Sequence, residues 1–308
     1  MKHAIIPARI ILCSAFALGA LPSASADLLK PREVNAIPAS PPDHTLAYGG
    51  DANQFGQLFL PQGRGPFPVA VVIHGGCWKK FADLNNTLPM SDALRKAGIA
   101  TWNIEYRRVD NEGGGWPGTY RDVGAAIDYL RTIAGEYRLD LAHVVLVGHS
   151  AGGHLALWAA GRFRLDEKSP LYMKDPLPVS AVVDLAGPGR LQTLQPEHLQ
   201  KVCGSVPVTQ LLGGEIDQVP ERLREGSPSE MLPLRVPQAL ITGSLDWLIP
   251  PAFGDEYVAL AKKAGDEAEL TVIEGAGHFE LIAPGTQAWP TVEKTVVSLA
   301  RRTERASQ

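Results

Sequence analysis

The chain has 308 residues, enough for one large domain or two small ones, and its 45% hydrophobic and 20% charged residues describe an ordinary soluble globular protein. A net charge of −4 with neutral histidines, and the lack of any basic run, exclude an electrostatic nucleic-acid binder. No uninterrupted apolar stretch reaches the roughly eighteen residues that a membrane-spanning helix needs.

The chain opens on a targeting pattern. Met1-Lys2-His3 and Arg9 form a short basic region, Ile10 to Leu21 an apolar core, and Ala24-Ser25-Ala26 fits the A-x-A cleavage rule. The pattern predicts a secretory signal over 1–26 and an exported protein, periplasmic or secreted. Cys13 follows bulky Leu12, unlike a lipoprotein cysteine, so the mature chain keeps Cys77 and Cys203. An oxidising compartment would allow one disulfide. The two thiols are nevertheless expected to stay separate, because Cys77 falls in a loop with another task, described below.

Residues 27–44, rich in Pro and Ala without a period, read as an extended arm. One domain is expected over 45–308. Thr45 to Tyr48 and Gln57 to Leu60 read as two short strands around Gly49-Gly50-Asp51. Val69 to Ile73 is a continuous β-branched run, the mark of a strand buried on both faces. It ends in His74-Gly75-Gly76-Cys77-Trp78. A helix over Asp92 to Ala97 stops at Gly98, and a strand over Ile99 to Ile104 precedes Glu105-Tyr106-Arg107-Arg108. Thr119 to Ala134 carries a helical stripe of Val123, Ala126, Ile127, Leu130 and Ile133.

Val144 to Val147 runs straight into Gly148-His149-Ser150-Ala151-Gly152, and an alanine-rich helical stretch follows. This is G-x-S-x-G between a strand and a helix, the context that the motif requires. A serine on so tight a turn sits in a strained backbone, so its neighbours two away must lack bulk. Val179 to Leu185 is a further strand, ending around Asp184. Residues 188–233 are irregular and proline-rich, a lid-like insertion. Ala239 to Thr242 and Leu270 to Ile273 are strands, with helices over Glu256 to Ala264 and Thr291 to Arg301.

Strands alternating with helices from residue 69 onward predict an α/β fold, a doubly wound and mostly parallel sheet. Chemistry in such sheets gathers at the carboxyl ends of the strands. His74, Ser150, Asp184, Asp246 and His278 all fall just after strands. A serine hydroxyl needs a base, and the base needs an orienting carboxylate. Ser150, Asp246 and His278 occur in the order nucleophile, acid, base. Asp184 also follows a strand and stands as the competing acid. The tetrahedral intermediate needs two backbone donors. One is expected from Ala151 and the other from Gly76 or Cys77. His154, one turn into the helix, reads as structural.

On these residues the chain resembles the α/β-hydrolase superfamily over roughly residues 45–302. His74-Gly75-Gly76-Cys77-Trp78, Gly148-His149-Ser150-Ala151-Gly152-Gly153-His154, Tyr106-Arg107 and Ser227-Pro228 look like the branch of kynurenine formamidases, small carboxylesterases and feruloyl or acetyl-xylan esterases. The resemblance implies acyl hydrolysis through an acyl-enzyme, without metal or cofactor. Kynurenine formamidases are usually intracellular, so the export signal favours an esterase acting on a small ester. An arylformamidase or other amide hydrolase of the same fold is the alternative. Trp78, Trp116, Trp247 and Phe279 are candidates for the substrate pocket. The oligomeric state is not legible.

Overall fold

The structure is a computed structural model. It describes Met1 and residues 28–302 apart from 195 and 205, without the side chains of 196 and 198. The signal-peptide reading therefore lies outside the described residues.

One eight-stranded sheet organises the chain, in the order β1-β2-β4-β3-β5-β6-β7-β8. The strands are β1 (His44–Ala47), β2 (Phe55–Phe59), β3 (Phe67–Ile73), β4 (Ala100–Ile104), β5 (Leu139–His149), β6 (Ala181–Leu185), β7 (Gln238–Gly243) and β8 (Ala268–Ile273). The first two pair antiparallel, and β2 meets β4 antiparallel. From β4 to β8 every pairing is parallel. All eight runs read from the sequence are strands. The central ones are apolar throughout because both their faces are covered.

The helices are α1 (Pro31–Asn35), α2 (Leu88–Lys96), α3 (Gly118–Asp128), α4 (Leu130–Tyr137), α5 (Ala151–Gly161), α6 (Pro196–Cys203), α7 (Pro207–Leu212), α8 (Pro220–Gly226), α9 (Pro251–Lys263) and α10 (Trp289–Ala300). Their sides follow from strand alternation. Thr101 and Trp102 are consecutive in β4 and so point to opposite faces. Thr101 Oγ1 donates to the carbonyl of Ser91 in α2, 3.2 Å away, while Trp102 Nε1 donates to the carbonyl of Ala126 in α3, 2.9 Å away. So α2 and α3 cover opposite faces. Arg301, just past α10, donates to the Ala97 carbonyl at the end of α2 (2.9 Å), which seats the last helix beside α2. Among the described residues no helix is long and apolar enough to cross a membrane.

Three expectations need correction. The arm ahead of β1 is not wholly extended: Pro31 at the first turn starts α1, and Val34 is fully buried. The single helix expected over Thr119 to Ala134 is two, meeting at Tyr129, whose N–H bonds the Ala125 carbonyl while Thr132 bonds back to Tyr129. Cys77 and Cys203 are not separate thiols. They form a disulfide with Cα atoms 5.8 Å apart, joining the loop after β3 to the end of α6 across 126 residues of sequence.

Candidate active site

Ser150 sits between β5 and α5 at φ 54°, ψ −121°, a conformation that a residue with a Cβ rarely adopts. The surroundings hold it there. Its N–H donates to the Leu185 carbonyl on β6 at 2.8 Å. A Cβ on Gly148 would strike the Gly152 carbonyl, and one on Gly152 would strike the Ile73 carbonyl. Only glycine at both positions lets α5 press against the ends of β5 and β3 and lift the serine at its N-terminus.

His278 follows β8. Its Nδ1–H donates to Asp246 Oδ2 at 2.6 Å. The other carboxylate oxygen, Oδ1, accepts the backbone N–H groups of Leu248 and Ile249, each at 2.9 Å. The tight turn after β7 thus fixes the carboxylate with two donors, and the carboxylate in turn fixes the imidazole tautomer. Asp184, the competing acid, does not meet His278. It is buried at the end of β6, where its Oδ1 accepts the Gly187 N–H at 2.7 Å. Burial pushes its carboxyl up to about 7.

Ser150, His278, Gly76 and Cys77 line one cavity of about 240 Å³. The loop bearing Gly76 and Cys77 is under backbone strain: Gly76, Cys77 and Trp78 have φ of 105°, 55° and 57°. Contacts on both sides hold it. The Tyr106 hydroxyl donates to the His74 carbonyl at 2.9 Å, and the two rings stack at 4.4 Å. His74 Nε2 meets Glu105 Oε1 at 3.0 Å. Arg108 lies 3.1 Å from the same carboxylate oxygen. The disulfide fixes Cys77 from the other side. Burial alone would raise the Glu105 carboxyl, but His74, Arg108 and the Tyr106 N–H outweigh it and hold the group below the usual range. The Ala151 N–H belongs to the first turn of α5, where helical N–H groups have no partner further back in the helix.

His149, the x before Ser150 in G-x-S-x-G, packs against His278. It is buried, its ring lies 4.6 Å from that of His278, and its Nε2–H donates to the His278 carbonyl at 3.0 Å. Burial, then the nearby His278, lower its pKa well below the ordinary value, so it stays neutral beside His278. His154 is structural, as expected: buried, with Nε2–H donating to the Gly226 carbonyl at 2.8 Å.

The aromatic pocket candidates divide. Phe279 lines the cavity. Trp78 does not: it is 2% exposed and packs edge-on against His154. Trp116 packs edge-on against Tyr120 under the Arg222 guanidinium and lines a different surface depression. Trp247, 59% exposed, lies next to Asp246 without lining the cavity. The walls are instead Pro31, Asn35, Phe81, Asn86, Val202 and Leu248. Nothing in their sequence pattern marks them, since they come from the arm, the segment before α2, helix α6 and the turn after β7.

A mostly parallel eight-stranded sheet with its second and first strands antiparallel at one edge, a serine on a glycine-bounded strained turn after β5, an acid after β7 and a histidine after β8 together define the α/β-hydrolase fold. Within that fold, residues 57–259 match the BD-FAE family, and the chain belongs to it. Esterase LipC of Mycobacterium tuberculosis is 27% identical over 243 residues, 76% of this chain and 58% of that protein. A probable isoprenylcysteine alpha-carbonyl methylesterase, ICME, of Oryza sativa is 23% identical over 246 residues, 77% of this chain and 58% of that protein. The chain thus spans less than two thirds of the length of these relatives. Among solved structures, Esterase B from Lactobacillus rhamnosis is similar with a TM-score of 0.71 at 21% identity, covering 87% of this chain and 90% of that one. A truncated carbohydrate esterase from gut microbiota gives 0.67 at 22% identity, over 84% and 95%. At such identities the structural likeness establishes the fold.

Proposed function

We propose that the protein is an exported serine hydrolase that cleaves carboxylic esters through Ser150, His278 and Asp246. The observation that carries the reading is the oriented pair of His278 and Asp246 lining one cavity with a serine on a strained turn. The relatives named as esterases support the ester rather than the amide bond as the target. The disulfide supports export, because such bonds persist in oxidising compartments.

In this reading His278 takes the Ser150 hydroxyl proton as Oγ adds to the ester carbonyl carbon. The negative charge that forms on the carbonyl oxygen is met by the N–H of Ala151 and that of Gly76 or Cys77. The bond to the alcohol oxygen then breaks, and His278 delivers its proton to that oxygen. Water attacks the acyl-enzyme by the same route, releasing the acid and restoring Ser150. Asp246 holds the imidazole with Nδ1 protonated and stabilises the imidazolium.

A panel of p-nitrophenyl acyl esters, methyl ferulate, acetylated xylan and N-formylkynurenine, run beside a fluorophosphonate probe, tests this. Ester turnover with Ser150 carrying the probe is the expected result. Turnover of the formamide alone would move the reading to an amide hydrolase. No turnover and no labelling of Ser150 would overturn it.

A further inference from the structure

The cavity is not built by the hydrolase domain alone. The arm ahead of β1 crosses its edge and is pinned at three separate places. At the first, Glu280 joins the arm to the loop of the catalytic histidine: its Oε1 accepts the Leu29 N–H at 2.6 Å, and its Oε2 accepts the N–H of Gly277, next to His278, at 3.0 Å. The Leu28 side chain lies against Gly277, where an added Cβ would come within 3.0 Å of it. At the second, Asn86 Nδ2 donates to Asn35 Oδ1 at the end of α1, while Val34 is fully buried. At the third, the Ser40 N–H donates to Asp92 Oδ2 in α2 at 2.9 Å.

Between the first two anchors, Pro31 and Asn35 line the cavity that holds Ser150 and His278. The bond from Asn86 occupies Asn35 Oδ1 and leaves the Asn35 amide nitrogen with two N–H donors for another partner. The arm also lies outside residues 57–259, the part of the chain that matches the family. His278 and Phe279 also lie outside that match, and the arm meets them at the same cavity.

We propose that residues 28–35 form a fixed wall of the site and that Asn35 is a specificity-determining residue, setting the size and hydrogen-bonding character of the ester group that fits beside it. Glu280 is a positioning residue that holds this wall to the His278 loop. The proposal rests on the esterase reading.

The test is substrate selectivity, measured as ratios of kcat/KM in two series. One varies the acyl group from p-nitrophenyl acetate to octanoate, and the other varies the alcohol of acetate esters from ethyl to naphthyl. Asn35→Ala should raise the large-to-small ratio at least fivefold in one of the series, and Asn35→Trp should lower it by as much in the same one. Glu280→Gln keeps one acceptor for two N–H groups, so it should shift that ratio in the direction of Asn35→Ala. A shift below fivefold in both series for Asn35→Ala, in protein that still labels at Ser150, overturns the wall. If Asn35→Trp does not fold, the Asn35→Ala result decides alone. A wild type with neither ester turnover nor labelling removes the esterase reading itself, an outcome separate from an unshifted ratio.

Discussion

In the proposed mechanism Ser150, His278 and Asp246 act as one unit, so their deletions should not add. Ser150→Ala and His278→Ala should each remove nearly all turnover, on the order of 10⁶-fold by comparison with other serine hydrolases, and the double variant should be little worse. Asp246→Asn should cost roughly 10⁴-fold, because the amide would present a donor to the imidazole and favour the wrong tautomer. Asp184→Asn should stay far milder; steady-state kinetics of the five variants decides, and a severe Asp184→Asn beside a mild Asp246→Asn would reverse the assignment. Asp184 has a second, thermodynamic signature. Its carboxyl is raised to about 7 in the folded chain from 3.8 because it is buried. Between those values the folded state holds the proton that the unfolded state has lost, so this group's contribution to stability falls as pH rises from about 4 to about 7. Asp184→Asn removes that titration while keeping the oxygen that accepts the Gly187 N–H. Its melting temperature relative to wild type should therefore rise from pH 5 to pH 8, by a few degrees at about 2–4 °C per kcal/mol for a domain of this size. An offset that does not change with pH would show that Asp184 titrates normally.

At the scale of elements, the loop after β3 and the helix α6 are one mechanical unit, because Cys77 and Cys203 are bonded. Val202, next to the bridge, lines the cavity, so the bond ties α6 to the strained loop that carries Gly76 and Cys77. Cys203→Ala should lower stability by about 2–5 kcal/mol, since the bridge closes a long loop in the unfolded chain. Reducing agent should lower the melting temperature of the wild type to match and leave the variant unmoved. Turnover well below the melting transition should stay within about tenfold, because the backbone donors of the loop remain. A wild type indifferent to reductant would contradict the bridge. None of this was legible in the sequence: two cysteines far apart in the chain carry no information on their distance, and the reading favoured free thiols. The strands were legible for the opposite reason. Runs such as Val69 to Ile73 must be apolar on both sides to be covered by helices, and that pattern is local. The short α1 depends on tertiary contacts, the burial of Val34 and the bond from Asn86, which no local pattern announces. The break at Tyr129 has neither glycine nor proline to mark it. Ser150, Asp246 and His278 could be found because parallel topology fixes where strand ends gather, whereas the placement of Trp78, Trp116 and Trp247 depends on which way each side chain turns.

For the whole molecule, the arm is where the proposed export and the proposed shape of the site meet. The sequence predicts cleavage after Ala26, which would leave a mature chain starting at Asp27. Two residues later the Leu29 N–H binds Glu280 and the wall begins. A processed chain would thus carry its first residues directly on the loop of His278, whereas an unprocessed one would carry 26 further residues at that point. Export would also supply the oxidising surroundings in which the bond between Cys77 and Cys203 persists. Intact mass of protein recovered from the periplasm or medium should therefore match a chain from Asp27 to Gln308, two hydrogens lighter than the reduced form. Alkylation of that protein, unfolded but not reduced, should find no free thiol. Recovery of a chain that still carries Met1 to Ala26 would contradict the export reading. Correctly cleaved protein with two reactive thiols would leave export standing and remove the bridge, so the two measurements separate what the compartment does from what the fold does.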